Sequence, residues 1–357
     1  MLAFAGLLAA MLAPSLQSAD LDPVRVRDPQ VISRWSLSGE PRSIAFGPDG
    51  TLYAGLRKPQ SVVAIDLVRG AILEEVVLDS EEIASTKDFA TMRYDAKRKR
   101  LIIAQGSDES VSILSVPSLA VEREILLEGE MIHDAIPDPK GRYLYILGRS
   151  VHVRDADGNR QIRIFSDLEP TAIAVSSDGK WLAIVGTEKF DGTPVTAVSL
   201  IDTERLEESR RELLQTDRKI QSALFANRDQ ALIVFADDWL AEKRLAISAG
   251  HAMKPRGESM QVTMGRDDFL STESICLPSE RGPQVAITSS KDNVVWFAER
   301  RCSSAGSVIA APRTVVTASL YGAEVRALAW DATSGRLAAT DGAGTITLYH
   351  HPKPAAR

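Results

Sequence analysis

The chain has 357 residues, of which 42 are Lys or Arg and 48 are Asp or Glu, so its net charge is −6. Charged residues make up 25% of the chain, and this near balance excludes a general attraction to polyanions such as nucleic acids. A hydrophobic content of 44% is typical of globular proteins and excludes disorder over most of the chain.

The first nineteen residues have the composition of an export signal. Leu2 to Ala13 is an uncharged apolar run, and small and polar residues follow it before Asp20. About a dozen apolar residues are too few to cross a bilayer. We therefore expect residues 1–19 to be a signal peptide and the protein to be periplasmic or secreted, without stable membrane insertion. The alternative is a buried N-terminal helix.

A unit of two apolar strands joined by a turn returns along the rest of the chain. Each copy has a turn rich in Asp, Gly, Pro, Ser or Asn, which is typical of a β-hairpin. The copies are residues 42–56, 89–105, 133–148, 171–186, 221–236, 284–299 and 325–341. A second hairpin follows most of them, as at 61–78 and 150–165, so each full unit has four strands.

Four-stranded units of about forty residues are typical of a β-propeller, in which no unit can bury a core alone. The sequence predicts an all-β fold in which residues 20–357 form a single domain, a seven-bladed β-propeller with four-stranded antiparallel blades. Residues 31–38, "VISRWSLS", precede the first unit, and the last unit supplies only three strands. We expect this N-terminal strand to be the outer strand of the last blade, which closes the ring.

The inner hairpins "PDGTLYAGL", "PKGRYLYILG" and "SDGKWLAIVG" resemble the bacterial YVTN-type propeller repeat. That family is related to the propeller chains of quinoprotein amine dehydrogenases and to propeller lactonases. The resemblance covers residues 31–352 and implies a propeller fold and an extracytoplasmic setting. The ending "GTITLYHH" also resembles a WD40 blade, but the Gly-His and Trp-Asp dipeptides of that family do not recur.

Propeller topology places the connections on two faces. The turns between the first and second and between the third and fourth strands of each blade share one face, here called the turn face. The loops between the second and third strands and the crossovers between blades share the other, the loop face. Because the turns are short, we expect binding on the loop face.

Several charged residues are predicted on the loop face, around the mouth of the central channel. At the starts of innermost strands these are Arg42, Asp88, His133 and Arg326, and in loops they are Arg149 and Arg300. The same topology places further charged residues in the loops and crossovers of this face, among them Lys58, Asp108, Glu169, Glu188 and Arg301. Arginines placed in this way can bind a carboxylate or phosphate through paired hydrogen bonds, so a small anionic ligand is one expected partner. The alternative is that these residues only form ion pairs between blades.

His133 followed by Asp134 is the one candidate pair for a metal ligand or a general base. Adjacent residues on a strand face opposite ways, which argues against joint action. The segment "DADGN" at 155–159 has alternating oxygen-bearing residues like a calcium loop, but it lies where a hairpin turn is needed. We expect neither a metal nor a cofactor.

Cys276 and Cys302 are the two cysteines of the chain. In an exported protein such a pair predicts a disulfide. It would close a loop of about 26 residues and stabilise the fold by roughly 3 kcal/mol.

No motif in the chain names a reaction. The leading hypothesis is therefore an exported binding or interaction module without chemistry of its own, whose partner is a protein or a small anion and not a nucleic acid. The amine dehydrogenase resemblance implies a first alternative, a non-catalytic subunit of a periplasmic redox enzyme. A lactonase or other hydrolase is the second alternative, and a cytosolic WD40-like scaffold is the third.

Overall fold

The structure is a computed structural model, and the parts of the chain that it describes are discontinuous. They are residues 31–57, 60–78, 89–105, 109–214, 220–226, 231–236, 239–244, 260–263, 274–277, 284–289, 294–299, 313–317, 325–331, 336–341 and 344–350. The predicted signal peptide therefore lies outside the described residues. No helix within these ranges combines the length and the apolar character needed to cross a bilayer.

The first strand, β1, spans Val31–Ser36, and four sheets of four strands follow it. The first two sheets contain β2 (Glu40–Phe46), β3 (Thr51–Arg57), β4 (Ser61–Asp66) and β5 (Ala71–Val77), then β6 (Phe89–Asp95), β7 (Arg100–Gln105), β8 (Ser110–Ser115) and β9 (Val121–Leu126). The next two contain β10 (Asp134–Pro137), β11 (Tyr143–Leu147), β12 (Val151–Asp155) and β13 (Gln161–Phe165), then β14 (Glu169–Val175), β15 (Trp181–Phe190), β16 (Thr193–Asp202) and β17 (Glu207–Leu214). One 3-10 turn, Pro48–Gly50, joins β2 to β3.

Three further sheets complete the described strands. They contain β18 (Ile220–Ala226), β19 (Ala231–Ala236), β20 (Trp239–Arg244) and β21 (Met260–Thr263), then β22 (Ser274–Leu277), β23 (Gln284–Ser289), β24 (Val294–Glu299) and β25 (Arg313–Thr317), and finally β26 (Val325–Asp331), β27 (Arg336–Asp341) and β28 (Thr345–His350). Strand β1 pairs antiparallel with β28, which gives the last sheet the order β1-β28-β27-β26. The predicted all-β fold with four-stranded antiparallel sheets is confirmed.

The turn before the second strand of a sheet takes a left-handed backbone conformation in several units. Gly50, Gly141 and Gly179 have φ values of +77°, +71° and +61° there, a region that glycine enters without a steric penalty. Lys99 occupies this place in the second sheet with φ +53°. The Asp95 carboxylate accepts hydrogen bonds from two backbone N–H groups of that turn, which helps to hold it without a glycine.

The hydrophobic core lies between consecutive sheets. In strand β7, Leu101 and Ile103 pack with Tyr53 of the first sheet, whereas Ile102 packs with Ile146 of the third. Both faces of the strand are therefore buried, which explains its uninterrupted apolar sequence. A further cluster joins the last sheet to the first: Trp35, Ala338 and Leu348 pack with Ile44 and Leu52.

The sixth sheet differs from the prediction. Residues 284–299 were expected to form the first two strands of a blade, but β23 and β24 are the second and third strands of their sheet. The first strand is β22, which contacts the first strands of the fifth and seventh sheets. Its four residues, Ser274–Leu277, are too few to show a clear alternating pattern among polar neighbours.

Candidate functional site

Two of the predicted channel-mouth residues, Arg42 and Arg326, fall at a recurring irregularity of the inner strands. In five first strands of the described chain an extra residue interrupts the ladder near the start of the strand. In β2 that residue is Arg42, between Pro41 and Ser43, and in β26 it is Arg326. A β-bulge of this kind redirects a side chain and recurs beside functional sites. The structure thus places Arg42 and Arg326 at equivalent backbone positions.

The other predicted site residues are distributed differently. His133 is exposed and directly precedes β10, where its N–H donates to the Leu147 carbonyl. Arg42 forms an ion pair with Glu40, with 3.0 Å between Nη2 and Oε2. Asp88, Arg300 and Cys302 lie outside the described residues, while Cys276 lies on β22. Arg300 was predicted in a loop between the second and third strands because Val294–Glu299 was taken as a second strand. In the structure Val294–Glu299 is the third strand of the sixth sheet, so that basis for the placement of Arg300 is wrong.

Asp134 connects the inner strands of the second and third sheets. Its carboxylate accepts a hydrogen bond from the Thr91 hydroxyl at 2.7 Å, and its Oδ2 lies 2.8 Å from Nη2 of Arg93. Arg93 remains 48% exposed. In the sequence Asp134 forms a candidate pair with its neighbour His133, whereas in the structure its carboxylate contacts residues about forty positions earlier in the chain.

Glu130 organises the loop face of the third sheet. Its Oε2 accepts the backbone N–H of the predicted residue Arg149 at 2.5 Å, and its Oε1 lies 3.2 Å from Nε2 of the nearly buried His152. A Cβ at Gly148 would lie 2.5 Å from Glu130 Oε2, so the glycine leaves room for the carboxylate. Arg149 therefore helps to fix this loop through its backbone, and its side chain is exposed.

The predicted turn at 155–159 is confirmed. The Asp155 carboxylate accepts the backbone N–H groups of Asn159 at 2.6 Å and Arg160 at 3.1 Å. Gly158 has φ +72° and its N–H donates to the Asp155 carbonyl. These contacts are those of a hairpin turn held by an aspartate side chain.

A groove lies between the outer strands of the third and fourth sheets, and the crossover between the two sheets, residues 166–168, runs through it. Phe165, Leu168 and Ile184 give it an apolar wall. The exposed Arg163 guanidinium lies 5.1 Å from the centre of the Phe165 ring, a cation–π distance. This cleft is called the rim groove below.

Arg211 is the centre of a charge network in the rim groove. Its Nη1 lies 3.0 Å from Glu188 Oε2, and its Nη2 lies 2.7 Å from Glu208 Oε2 and 3.5 Å from Asp167 Oδ2. The Ser199 hydroxyl also donates to Glu208. Three carboxylates therefore surround a single guanidinium, although one of them, Asp167, remains 76% exposed.

The network shifts the pKa values of Glu208 and Arg211. Burial raises the pKa of Glu208, but hydrogen bonds from Arg211 and Ser199 outweigh it and hold that pKa below its ordinary value. The pKa of Arg211 is raised, chiefly by its hydrogen bond to Glu208. Glu208 is therefore a carboxylate and Arg211 a cation throughout the physiological range.

A long hairpin, formed by β15 and β16, extends beside the rim groove. Strands β15 and β16 have ten residues each, against five to seven for most strands in the described first three sheets, and Asp191 and Gly192 form its turn. Phe190 next to the turn is 56% exposed, and Leu213 on the adjoining strand is 41% exposed. Glu188 lies near the end of β15, and its ion pair with Arg211 connects the hairpin to the rim groove.

The loop face of the third and fourth sheets is acidic. Residues 127–134, 148–150, 166–169 and 187–196 contain seven Asp or Glu and two Lys or Arg. The turn face of the same two sheets, at 138–142, 155–160, 176–180 and 202–206, contains six acidic and five basic residues. The loop face of these two sheets is therefore the more acidic one, while the turn face is nearly balanced.

The rim groove was missed by the sequence analysis, apart from Glu188. Its residues come from three strands of the fourth sheet, one of the third and a crossover, and no motif links them. No local pattern marks them, although strand β15 extends to Phe190, four residues beyond the predicted end of the unit at residue 186.

Comparison with solved structures shows the β-propeller fold. The Cps50 (Swd1) β-propeller domain of Myceliophteria thermophila has a TM-score of 0.70 at 15% identity, over 90% of this chain and 99% of that one. A chain of the mitotic checkpoint complex has a TM-score of 0.69 at 15% identity, over 96% and 99%. A chain of hydrazine synthase of Kuenenia stuttgartiensis has a TM-score of 0.67 at 14% identity, over 89% and 97%.

No protein-family model matches the chain, and no curated protein matches it in sequence. The resemblance to YVTN-type repeats therefore remains a prediction about family, while the propeller fold that it implied is confirmed.

Proposed function

We propose that this β-propeller is a protein-interaction module without catalytic chemistry of its own, in which seven blades close into one ring and a partner protein docks at the rim groove. Propellers host many unrelated activities, so the proposal depends on the site and not on the fold. One of the structural neighbours is a chain of the mitotic checkpoint complex, a multiprotein assembly by its name.

Closure of the ring is supported by three contacts between the ends of the chain. Strand β1 pairs with β28, Trp35 packs in the cluster that joins the last sheet to the first, and β2 contacts β26. The Trp35 indole N–H also donates to the Gly70 carbonyl at 3.1 Å. The described strands form seven four-stranded sheets, as many as the proposed ring needs.

The observation that carries the proposal is the juxtaposition of the rim groove and the long hairpin. An exposed aromatic side chain at the end of a two-stranded extension beside a cleft is a surface feature of protein-binding sites, where aromatic residues are enriched. The Glu188–Arg211 ion pair connects the extension to the cleft, so a partner can contact both.

A protein partner accounts for the described loop face better than a small anion at the channel mouth does. Arg42 already pairs with Glu40, and Arg93 with Asp134. An anion would have to displace these carboxylates, and the acidic excess of the loop face of the third and fourth sheets opposes its approach.

The test is native purification from the source organism, followed by amine cross-linking and mass spectrometry. We expect a stoichiometric partner chain cross-linked to Lys189 on the long hairpin and not to Lys140 or Lys180 on the turn face. Phe190→Ser should release that partner, whereas Val68→Ser, at another exposed apolar position (81% exposed), should retain it. A chain that purifies alone, or a partner cross-linked only through the turn face, would refute the proposal.

Export and the disulfide belong to the same proposal. A module that works outside the cytoplasm is expected to lose residues 1–19 and to link Cys276 to Cys302. Intact mass of the native protein would show both changes. An uncleaved N-terminus with two free thiols would place the module inside the cell instead.

A further inference from the structure

We infer that the rim groove binds a basic side chain, lysine or arginine, that is presented by a short segment of the partner protein. This inference rests on the proposed function and adds the chemistry of the partner. It is carried by three features of the groove: an apolar wall, carboxylates that outnumber their cation, and an acidic surround.

The wall suits the stem of such a side chain. Phe165, Leu168 and Ile184 line one part of the groove, and the carboxylates of Asp167 and Glu208 line another. Lysine and arginine combine an aliphatic stem with a charged end, so they bury the stem against apolar surface while the cation stays near polar groups. A purely apolar side chain would leave the carboxylates desolvated without a partner.

The charge balance favours a second cation. Arg211 is shared by Glu188, Glu208 and Asp167, so this cluster carries a formal charge of −2. Arg163 reduces the excess to −1, but its guanidinium is over the Phe165 ring. Asp167 contributes only a 3.5 Å contact to Arg211 and is mostly exposed, so its oxygens can accept further hydrogen bonds.

The acidic residues around the rim groove act on a partner at longer range. Glu169 and Asp191 are exposed on the same face as the crossover and the hairpin, and Lys189 is the nearby exposed cation on the hairpin. An acidic face attracts a basic segment during encounter and repels an acidic one. The preference for basic segments should therefore weaken as salt rises.

The test uses two capped pentapeptides as probes, Ac-Gly-Leu-Arg-Leu-Gly-NH2 and the same peptide with citrulline, the neutral isostere of arginine. Binding to the full-length protein is followed by NMR through the methyl signals of Ile184 and Leu168. We expect the arginine peptide to shift these signals and to bind at least about tenfold more tightly than the citrulline peptide, since a hydrogen bond to a charged group is worth that much. A lysine peptide should also shift them.

Variants assign the effect to the groove. Asp167→Asn and Glu208→Gln should each weaken binding of the arginine peptide by about threefold to tenfold. Glu204→Gln, a matched exposed glutamate on the turn face, should leave it unchanged. Because the Asp167 side chain is mostly exposed, we expect Asp167→Asn to fold even if Glu208→Gln disturbs the fold. Circular dichroism checks the folding of both variants.

Equal binding of the arginine and citrulline peptides, or binding that Asp167→Asn and Glu208→Gln leave unchanged, would overturn the inference. The proposed function is judged separately by the cross-linked partner. A partner cross-linked through Lys189 together with equal peptide binding would refute the basic side chain and leave the interaction module standing. Selective arginine binding without any native partner would refute the module instead.

Discussion

Two arginines lie at opposite ends of the junction between the third and fourth sheets, and their surroundings differ. Arg142, on the turn face, donates from Nε to Asp138 at 2.7 Å and from Nη2 to the Gly179 carbonyl at 2.6 Å and the Thr203 hydroxyl at 2.9 Å. Arg211, in the rim groove, contacts three carboxylates. Asp138 has a fully buried side chain, whereas Asp167 is mostly exposed.

The difference separates a structural arginine from a binding one. Around Arg142 one carboxylate balances one cation, and two neutral acceptors take hydrogen bonds from Nη2, so the charges are balanced without a partner protein. Around Arg211 the carboxylates are in excess, and their side chains are 19% exposed for Glu188, 34% for Glu208 and 76% for Asp167. Between the second and third sheets Arg100 is an intermediate case: its buried guanidinium contacts the carboxylates of Asp95, Asp157 and Glu122 and the Ala156 carbonyl, and Arg98 also pairs with Asp157.

The largest expected effect is that of Arg142→Ala on stability. The change leaves the buried Asp138 carboxylate without its cation and removes the link to the turns of the fourth sheet. Because the Arg142 side chain is still 29% exposed, we expect a loss of about 2–3 kcal/mol, below the range for a fully buried pair. Urea unfolding measures it, and a loss within error of zero would contradict the structural role.

Arg211→Ala should reduce the free energy of unfolding by less than Arg142→Ala does. Each of its three partners keeps part of its side chain exposed when the guanidinium is removed, unlike Asp138, and partly exposed ion pairs contribute about 1 kcal/mol or less. The same urea experiment compares it with Arg142→Ala under identical conditions. If Arg211→Ala were the more destabilising of the two, the rim groove would be a structural junction like the one at Arg142.

Tyr145→Phe tests the buried interior of the same junction. Among the described residues the Tyr145 hydroxyl is buried without a hydrogen-bond partner, and burial raises the pKa of this phenol. Removing an unsatisfied hydroxyl relieves a desolvation cost, so the variant should be as stable as the wild type or more stable by about 1 kcal/mol. A clear loss in thermal unfolding would indicate that the hydroxyl has a partner, such as a buried water.

The smallest expected effect is that of Glu208→Gln on the loss of stability of the fold at acid pH. Because its pKa is lowered in the folded state, Glu208 stabilises the fold fully above the unfolded pKa of about 4.3, and this contribution is lost as pH falls through the folded value. Glu208→Gln should therefore lose less stability than the wild type between pH 7 and pH 3. Urea midpoints at both pH values measure this, with Glu204→Gln as the control.

Much of the fold could be predicted from short-range patterns. The hairpins at 61–78 and 150–165 match β4 with β5 and β12 with β13, and the strand expected at 31–38 is β1, paired with β28. The sixth sheet was predicted wrongly because the four residues of β22 carry too short a pattern. Alternation and turn chemistry need several consecutive residues before they distinguish a strand.

The candidate site was predicted only in fragments. The sequence placed charges on the loop face and recognised Glu188, but it did not place Glu188 beside Arg211 or Asp134 beside Arg93. Those contacts join residues 23 and 41 positions apart. No pattern of neighbouring residues encodes them.

The amino-acid sequence by itself determined the all-β class, the repeated hairpins and the turns at Gly50, Gly141 and Gly179, because each depends on residues within one or two strands. The tertiary structure decided that an excess of carboxylates would meet a single guanidinium at the rim of the third and fourth sheets. Charge balance is a property of side chains brought together in space, and only the packing of one sheet against the next establishes it.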